Sequence, residues 1–500
     1  VPIALLTGPA NAGKAEVVID ALRRHMAHGE QPLLIVPTRA DTEHYTRELA
    51  GEGTALGVRV ERFDGLIAEA VRRAQTGGVV LGGLARECVL AAIASGSAVV
   101  DADGGARADQ PPPAAAGLVH ALAVALAELR VRRVSAARLA RALEDWAAED
   151  GAASAVSELG RFYREYERTL ERLRRVDGEQ RAVRALDALR QAPRLWGGTP
   201  VLFYGFDDLT PLQIDAIETL GRVVDARVTV SLTYEPGRVA FAGRAATFAA
   251  LYPLAAEHRE LGARADYYAA QARRPLSHLE RSLFEPNAAR MDPAGAVRLL
   301  EGGGERAELE LVAREITGLL SDGMAPEEIA VAVRAPGATA ELLEEVFSAA
   351  GIPYALQLRR RFADTALGGA LNGLLRCTPH AADGTDTSAG ELSDLMAWLR
   401  APGFLERPEL ADALELTARR SGAASAAQAR ALWEQRNWPL ETIDQLADAQ
   451  ARGPVALIDR VERELGWIFS APRRGSASVL GAEELDDARA LASRHLAGAI

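Results

Sequence analysis

Chemistry first shows in this chain at Gly8-Pro9-Ala10-Asn11-Ala12-Gly13-Lys14. The Gly-x-x-x-x-Gly-Lys spacing suits a loop whose backbone N–H groups face an anion and whose lysine reaches between phosphates. Of 57 basic residues 56 are arginine, and Lys14 is the single lysine. With alanine abundant as well, that bias fits codon pressure under which lysine has almost vanished. Arginine replaces lysine freely on most surfaces, but its planar guanidinium is too wide for a tight phosphate loop. Retention of lysine here therefore favours such a loop over the plainer reading, in which Gly8 and Gly13 merely bound a strand–helix turn. The next residue is Ala15. A loop that turns over nucleoside triphosphates carries Ser or Thr there, because the hydroxyl ligates Mg²⁺. Phosphate binding is expected, and efficient hydrolysis is not.

Other groupings are weaker. His25 and His28 stand three apart on a helix, and Cys377-Thr-Pro-His380 has a metal-like spacing. Neither has a second pair nearby, so core or surface placement is expected and no metal site is assigned. Arg130-Val-Arg-Arg133 and the stretch from Arg161 to Arg175, with Phe162, Tyr163 and Tyr166 interleaved, can offer charge and stacking surface to DNA. Glu165, Glu167 and Glu171 suit an ordinary salt-bridged helix equally well.

The loop needs elements to hold it. Ile3-Ala4-Leu5-Leu6-Thr7 reads as a buried strand, and Ala15 to His28 has helical spacing through Val18, Ile19 and Leu22. Strand, glycine loop and helix together point N–H groups at an anion. Pro32 to Pro37 predicts a second strand, followed by a helix over about 40–50; Val58 to Phe63 predicts a third, followed by a helix from Gly65 to Arg73. That order implies a parallel sheet covered by helices. From Leu81 to about Ala192 the pattern is wholly helical, broken by a Gly/Pro/Asp-rich loop over 101–113. Strands resume at Val201 to Gly205 and Arg227 to Leu232. The expected organisation is an α/β domain over 1–80 plus 196–275, interrupted by a helical insertion over 81–195. A second α/β domain is expected over 290–380. It would have strands at Val297 to Leu300 and Glu328 to Arg334, helices over 305–321 and 339–350, and Gly351-Ile352-Pro353-Tyr354 after them. A helical stretch then runs over 381–500.

Composition narrows the class. Five hundred residues and 53.2 kDa suit roughly two to four domains. No apolar run approaches the ~20 residues that span a bilayer. Cys88 and Cys377 are the only cysteines, too few for a disulfide framework, so the reducing cytoplasm is the expected compartment. A net charge of -12 excludes a generally basic coat and restricts any nucleic-acid contact to a local groove. The chain begins at Val1 without Met and stops at Ile500 within a helical pattern, so it is expected to be part of a longer protein.

In order and content, these motifs resemble superfamily 1 helicases of the UvrD type, and most of all the AddB-type proteins of bacterial helicase–nuclease complexes. Gly8 to Ala15 resembles their motif I. Val36-Pro37-Thr38-Arg39-Ala40 stands where the family has a Thr-containing motif that touches single-stranded DNA, and Arg62-Phe63-Asp64-Gly65-Leu66 resembles the next DNA-contacting motif. Tyr163, Tyr166, Leu170 and Asp177 are similar to the helix before the second ATPase motif. Leu202 to Gln213 (Leu-Phe-Tyr-Gly-Phe-Asp-Asp-Leu-Thr-Pro-Leu-Gln) resembles the family's DGFxxFTPxQ stretch. Glu328 to Arg334 and Gly351 to Tyr354 are similar to the opening of the second motor domain. The resemblance covers about residues 3–380.

It implies an α/β fold of P-loop NTPase (RecA-like) parallel-sheet domains of superfamily 1 helicase type, with large helical insertions. Nucleotide contact is then expected from Gly8, Asn11, Ala12, Gly13, Lys14 and Ala15. Arg334 would join them from the end of its strand, although a plain surface residue reads as well there. DNA contact is expected from Thr38, Arg39, Arg62, Phe63 and Asp64, with Thr38 equally suited to a helix cap.

Departures from the family pattern bear on the chemistry. An active motor ends its second strand in Asp-Glu, which hold Mg²⁺ and activate water. Aligned on Phe206 and Gln213, those two places hold Tyr204 and Gly205. Asp207 and Asp208 lie just beyond; loop or helix-cap acids are the preferred reading, displaced metal ligands the other. The family's PD-(D/E)XK nuclease needs a lysine. With Lys14 the only one, these residues cannot contain that site in its usual form, and two cysteines cannot hold the family's four-cysteine iron–sulfur cluster. The Mg²⁺ of the nuclease and the cluster are expected only in a C-terminal part outside this chain.

The resemblance thus implies a helicase-like DNA-binding subunit retired from ATP turnover. It would act in double-strand-break end resection and recombinational repair, with ATP as ligand and Mg²⁺ held weakly or not at all. Its partners would be a DNA strand or duplex end and an active AddA-like helicase–nuclease. Two alternatives stay open: an active superfamily 1 DNA-dependent ATPase using Asp207 or Asp208, and a purely structural scaffold.

Overall fold

The computed structural model describes residues 3–51, 57–76, 78–95, 116–150, 153–356, 363, 366–379, 390–401 and 404–467. The chain divides into two compact units, Val1–Arg298 and Leu299–Ile500.

Among the described residues the first unit has eight strands: β1 (Ile3–Gly8), β2 (Leu33–Ile35), β3 (Arg59–Glu61), β4 (Val79–Val80), β5 (Arg175–Val176), β6 (Val201–Phe203), β7 (Val228–Thr233) and β8 (Glu257–Glu260). Six of them form one parallel sheet in the order β3-β2-β6-β7-β1-β8, and β4 pairs with β5 apart from it. Side chains alternate across a strand, and both faces of this sheet are covered. Ile3, Leu5, Leu33, Ile35, Val201, Phe203, Val228 and Val230 enter one core, while Leu6, Leu34 and Leu202 enter another on the opposite face. That double burial is why β1, β2 and β6 read as continuous apolar runs, whereas β7 alternates as Val-Thr-Val-Ser-Leu-Thr. Strand β8 does not: Glu-His-Arg-Glu is exposed throughout, and its charges suit an edge that must not recruit another strand.

Helices α1 (Lys14–Ala27), α2 (Arg39–Ala50) and α3 (Phe63–Ala74) follow the first three strands. Val18 and Leu22 of α1 pack on Leu6, and Leu66 and Ala70 of α3 pack on the other face. A helical block of α4 (Gly83–Ala94), α5 (Ala116–Val131), α6 (Ala136–Asp150) and α7 (Ala153–Arg172) has its own core around Leu90, Leu126, Tyr163, Tyr166 and Leu170. The expected loop over 101–113 lies outside the described residues.

Two corrections apply to the expected insertion over 81–195. It is not wholly helical, because β5 lies inside it. It also ends earlier: α8 (Gly178–Gln191) contributes Ala185 and Leu189 to the sheet core, so it belongs to the α/β layer. Helices α9 (Pro211–Glu218), α10 (Ala245–Leu251) and α11 (Arg273–Ser282) complete the unit.

The second unit differs from expectation more deeply. Its elements are α12 (Glu305–Ser321), α13 (Pro336–Ala349), α14 (Ala366–Cys377), α15 (Leu392–Leu399), α16 (Glu409–Ser421), α17 (Ala426–Glu434), α18 (Glu441–Arg452) and α19 (Pro454–Trp467). Among the described residues it has no strand. Helices α12 and α13 form as predicted and pack through Leu309, Ile316, Leu343 and Phe347. The apolar runs at 297–300 and 328–334 form no ladder; Leu299 is 91% and Val331 40% exposed. A strand needs neighbours for its N–H and C=O groups, and among the described residues none pairs here. The expected second α/β domain over 290–380 is therefore helical as described. Helices α14 to α18 share a further core that includes Trp398 and Trp433. Among the described residues no helix is long and apolar enough to cross a membrane.

Candidate functional site

The topology itself marks one position. From β1 the chain passes β7 and β6 to reach β2, whereas from β7 it crosses β1 to reach β8. Adjacent strands whose connections leave in opposite directions open a crevice at their carboxyl ends, where open α/β sheets bind ligands. Here that crevice lies between the 8–13 loop and the end of β7, where the Tyr234 N–H donates to the Gly8 carbonyl at 3.1 Å.

Backbone shape explains the loop's residues. Asn11 and Gly13 have φ of 55° and 78°, and Gly8 packs so closely that a Cβ would lie 2.7 Å from the Leu261 carbonyl. Gly13 caps α1 without a side chain, so no side-chain oxygen takes up the first N–H groups of the helix. Lys14 is 7% exposed, and its ammonium donates to the carbonyls of Gly8, at 3.1 Å, and Pro9. Two of three N–H donors are thus spent on neutral acceptors and the third is left for an anion. Among the described residues no carboxylate pairs with it. Burial pulls its pKa down to about 8, the Arg244 guanidinium adds to that, and Glu280 works the other way.

Past β8, residues 261–268 border the loop. Arg264 donates to Glu16 at 2.7 Å and to Asp266 at 2.6 Å, and its guanidinium lies 4.7 Å from the Tyr267 ring centre. The Tyr268 hydroxyl accepts from the Asn11 amide at 2.6 Å. Between this segment and the outer face of α1 opens a crevice of about 980 Å³. Sequence reasoning missed these residues because β8 carries no apolar alternation. The paired tyrosines among charges were the only signal.

The second motif holds no free acid. The Tyr204 ring packs edge-on against Tyr45, with centres 5.4 Å apart. Gly205 has φ of 82°, with Pro37 in contact range of any added Cβ. Asp207 pairs with Arg244, which also donates to the Thr233 carbonyl at 3.3 Å. Asp208 accepts from the Leu209 N–H at 2.8 Å and from the Thr247 hydroxyl. Both acids hold the turn between β6 and α9. Gln213 forms a capping box with Thr210 and so starts α9. Among the described residues no group of three or more His, Cys, Asp or Glu is arranged to hold a metal.

Some of the candidate DNA contacts come together. The Val36 N–H donates to the Glu61 carbonyl at 2.9 Å, so Thr38 and Arg62 follow adjacent strand ends on the same sheet edge as the loop. Thr38 is the N-cap of α2, exchanging bonds with Asp41. Arg39 pairs with Glu43 at 3.0 Å and Arg62 with Asp64 at 2.6 Å, all four exposed. Phe63 is partly buried and packs against the cores under α3.

The proposed stacking surface in the helical block is corrected too. Tyr163 and Tyr166 are buried, the Tyr163 hydroxyl donates to the Val134 carbonyl at 3.0 Å, and Arg130 pairs with Asp177 at 3.0 Å. His25 sits 2.6 Å from Glu30, and His28 bonds the Arg24 carbonyl. Burial pushes the Cys377 thiol up to about 12, and His380 lies outside the described residues. Arg334 is exposed and ends no strand, so its expected setting is absent.

No protein-family model matches the chain, and no characterised protein matches it significantly.

Proposed function

We propose that the first unit is a P-loop, RecA-like module of superfamily 1 helicase type that holds ATP without hydrolysing it. The chain would serve as the helicase-like, DNA-binding portion of an AddB-type protein, acting with an AddA-like motor in end resection. Lys14 carries the reading: it is a buried cation with an unspent donor, at a strand-end crevice, beside an uncapped helix N-terminus. Phosphates would lie against the N–H groups of the loop and α1, with Lys14 between them. Turnover would fail because Ala15 brings no hydroxyl, Tyr204 and Gly205 bring no carboxylate, and Asp207 and Asp208 are engaged in the turn.

DNA phosphates would meet Arg39, Arg62 and backbone near Thr38 on the same sheet edge, while the -12 net charge discourages indiscriminate binding elsewhere. Calorimetric titration with ATP and a phosphate-release assay with single-stranded DNA test this together. ATP binding by the parent protein that weakens by about 2–3 kcal/mol in Lys14→Ala, with release at background, is the expected result. DNA-stimulated release that disappears in Lys14→Ala would instead establish an active ATPase. Absence of both ATP and forked-duplex binding would leave only a scaffold.

A further inference from the structure

Helices α17 and α18 of the second unit are joined by Gln435-Arg436-Asn437-Trp438-Pro439-Leu440. This turn is pinned. The Trp433 indole N–H donates to the Trp438 carbonyl at 3.0 Å, and the Leu440 N–H donates to Glu434 at 2.9 Å. The Trp438 ring stands edge-on to Trp433, centres 5.1 Å apart, yet Trp438 is 51% exposed. A large aromatic fixed in place with half its surface open offers an apolar face on which a planar group can stack.

Trp438 borders a cavity of about 750 Å³, within the range that encloses a ligand of nucleotide size. One wall is apolar, from Leu405 and Leu410. Arg460 lines the cavity as well, paired with the buried Glu464, and its buried Nε makes no hydrogen bond. The Arg436 guanidinium and the Asn437 and Gln445 amides, all lining the same cavity, have no partner among the described residues. An apolar ligand would leave these donors and acceptors unsatisfied. An acidic peptide would find one unpaired cation, since Arg407 is taken by Glu409 and Arg460 by Glu464.

We propose that this cavity receives a nucleotide of single-stranded DNA, with its base stacked on Trp438, its edge read by Asn437 and Gln445, and its phosphate met by Arg436. Stacking on a fixed aromatic with a nearby cation is how proteins hold single strands. Arg436, Trp438 and Gln445 are exposed, so the strand can run outward on either side of the held base. The inference rests on the reading of the chain as DNA-binding but uses none of the residues at the sheet edge.

The test is fluorescence anisotropy on the whole chain with a fluorescein-labelled 12-nucleotide deoxythymidine strand. Trp438→Ala should weaken binding ~10-fold, while Trp438→Phe keeps most of it. Arg436→Gln should weaken it about 3-fold and reduce the salt slope by about one. All three variants should keep the parent protein's urea-unfolding profile, which shows the second unit intact. Parent-like strand affinity in Trp438→Ala and Arg436→Gln overturns the cavity while leaving the DNA reading standing. No strand binding by the parent protein removes both. Thymidine monophosphate binding as tightly as the strand would make this a free-nucleotide site, and a glutamate-rich peptide binding in a Trp438-dependent way would make it a protein-docking site; either overturns the proposal.

Discussion

Lys14 and Arg130 are both cations withdrawn from water, 7% and 8% exposed, but their neighbourhoods differ in kind. Arg130 lies 3.0 Å from Asp177 and 3.6 Å from Glu167, with the rings of Tyr163 and Tyr166 5.4 Å and 5.5 Å from its guanidinium carbon. Lys14 has two backbone carbonyls and, among the described residues, no carboxylate. A buried charge with a counter-charge is a structural unit, whereas one facing only neutral dipoles is incomplete and gains from an incoming anion. On sequence the helical block, with arginines and aromatics interleaved, suited DNA contact and an ordinary salt-bridged helix equally. Burial of Tyr163 and Tyr166 favours the second.

The contrast can be broken or sharpened by measurement. Arg130→Ala leaves Asp177 buried without its cation and should lower unfolding free energy by about 3–5 kcal/mol in urea titration. Unchanged stability would erase the distinction. Lys14→Ala should cost little stability but weaken ATP binding by about 2–3 kcal/mol, read by calorimetry, because a charged donor is removed from the phosphate cradle.

A pH series sharpens the point. Phosphate binds the charged ammonium, and the Lys14 pKa lies near 8, so ATP affinity should be flat below that pH. Above it, affinity should fall towards about tenfold per pH unit. The fall should be missing in Lys14→Ala between pH 7 and 9. The smallest effect belongs to the sheet edge: Arg62→Ala, releasing Asp64, should weaken strand binding a few-fold and lower the salt slope by about one. A variant with an unaltered slope would remove Arg62 from the DNA path.

Strands β1, β2 and β6 are legible because a sheet covered on both faces demands unbroken apolar runs, and β7 by the alternation of Val228, Val230 and Leu232 with hydroxyl residues. Strand β8 was not, since an edge of Glu-His-Arg-Glu carries no such signal, and with it went Arg264, Tyr267 and Tyr268 beside the loop. The opposite error occurred at 328–334. Glu-Ile-Ala-Val-Ala-Val-Arg has strand composition, but among the described residues no neighbouring strand completes its hydrogen bonds. Capping chemistry is half visible in the sequence: Thr38 ahead of the helix expected over about 40–50 suits a cap, whereas the Thr210–Gln213 box lies inside the stretch that resembles the family motif.

Sequence alone determined the glycine-bounded turn that carries Lys14, because glycine spacing and a lone lysine are local properties of the chain. It also determined that position 15 brings no hydroxyl and positions 204 and 205 no carboxylate, since Ala15, Tyr204 and Gly205 lack those groups in any fold. Tertiary structure decided which polar residues face a ligand. Whether Tyr163, Phe63, Asp207 or Trp438 meets solvent depends on elements distant in the chain, and the cost of burying an unsatisfied group is set there.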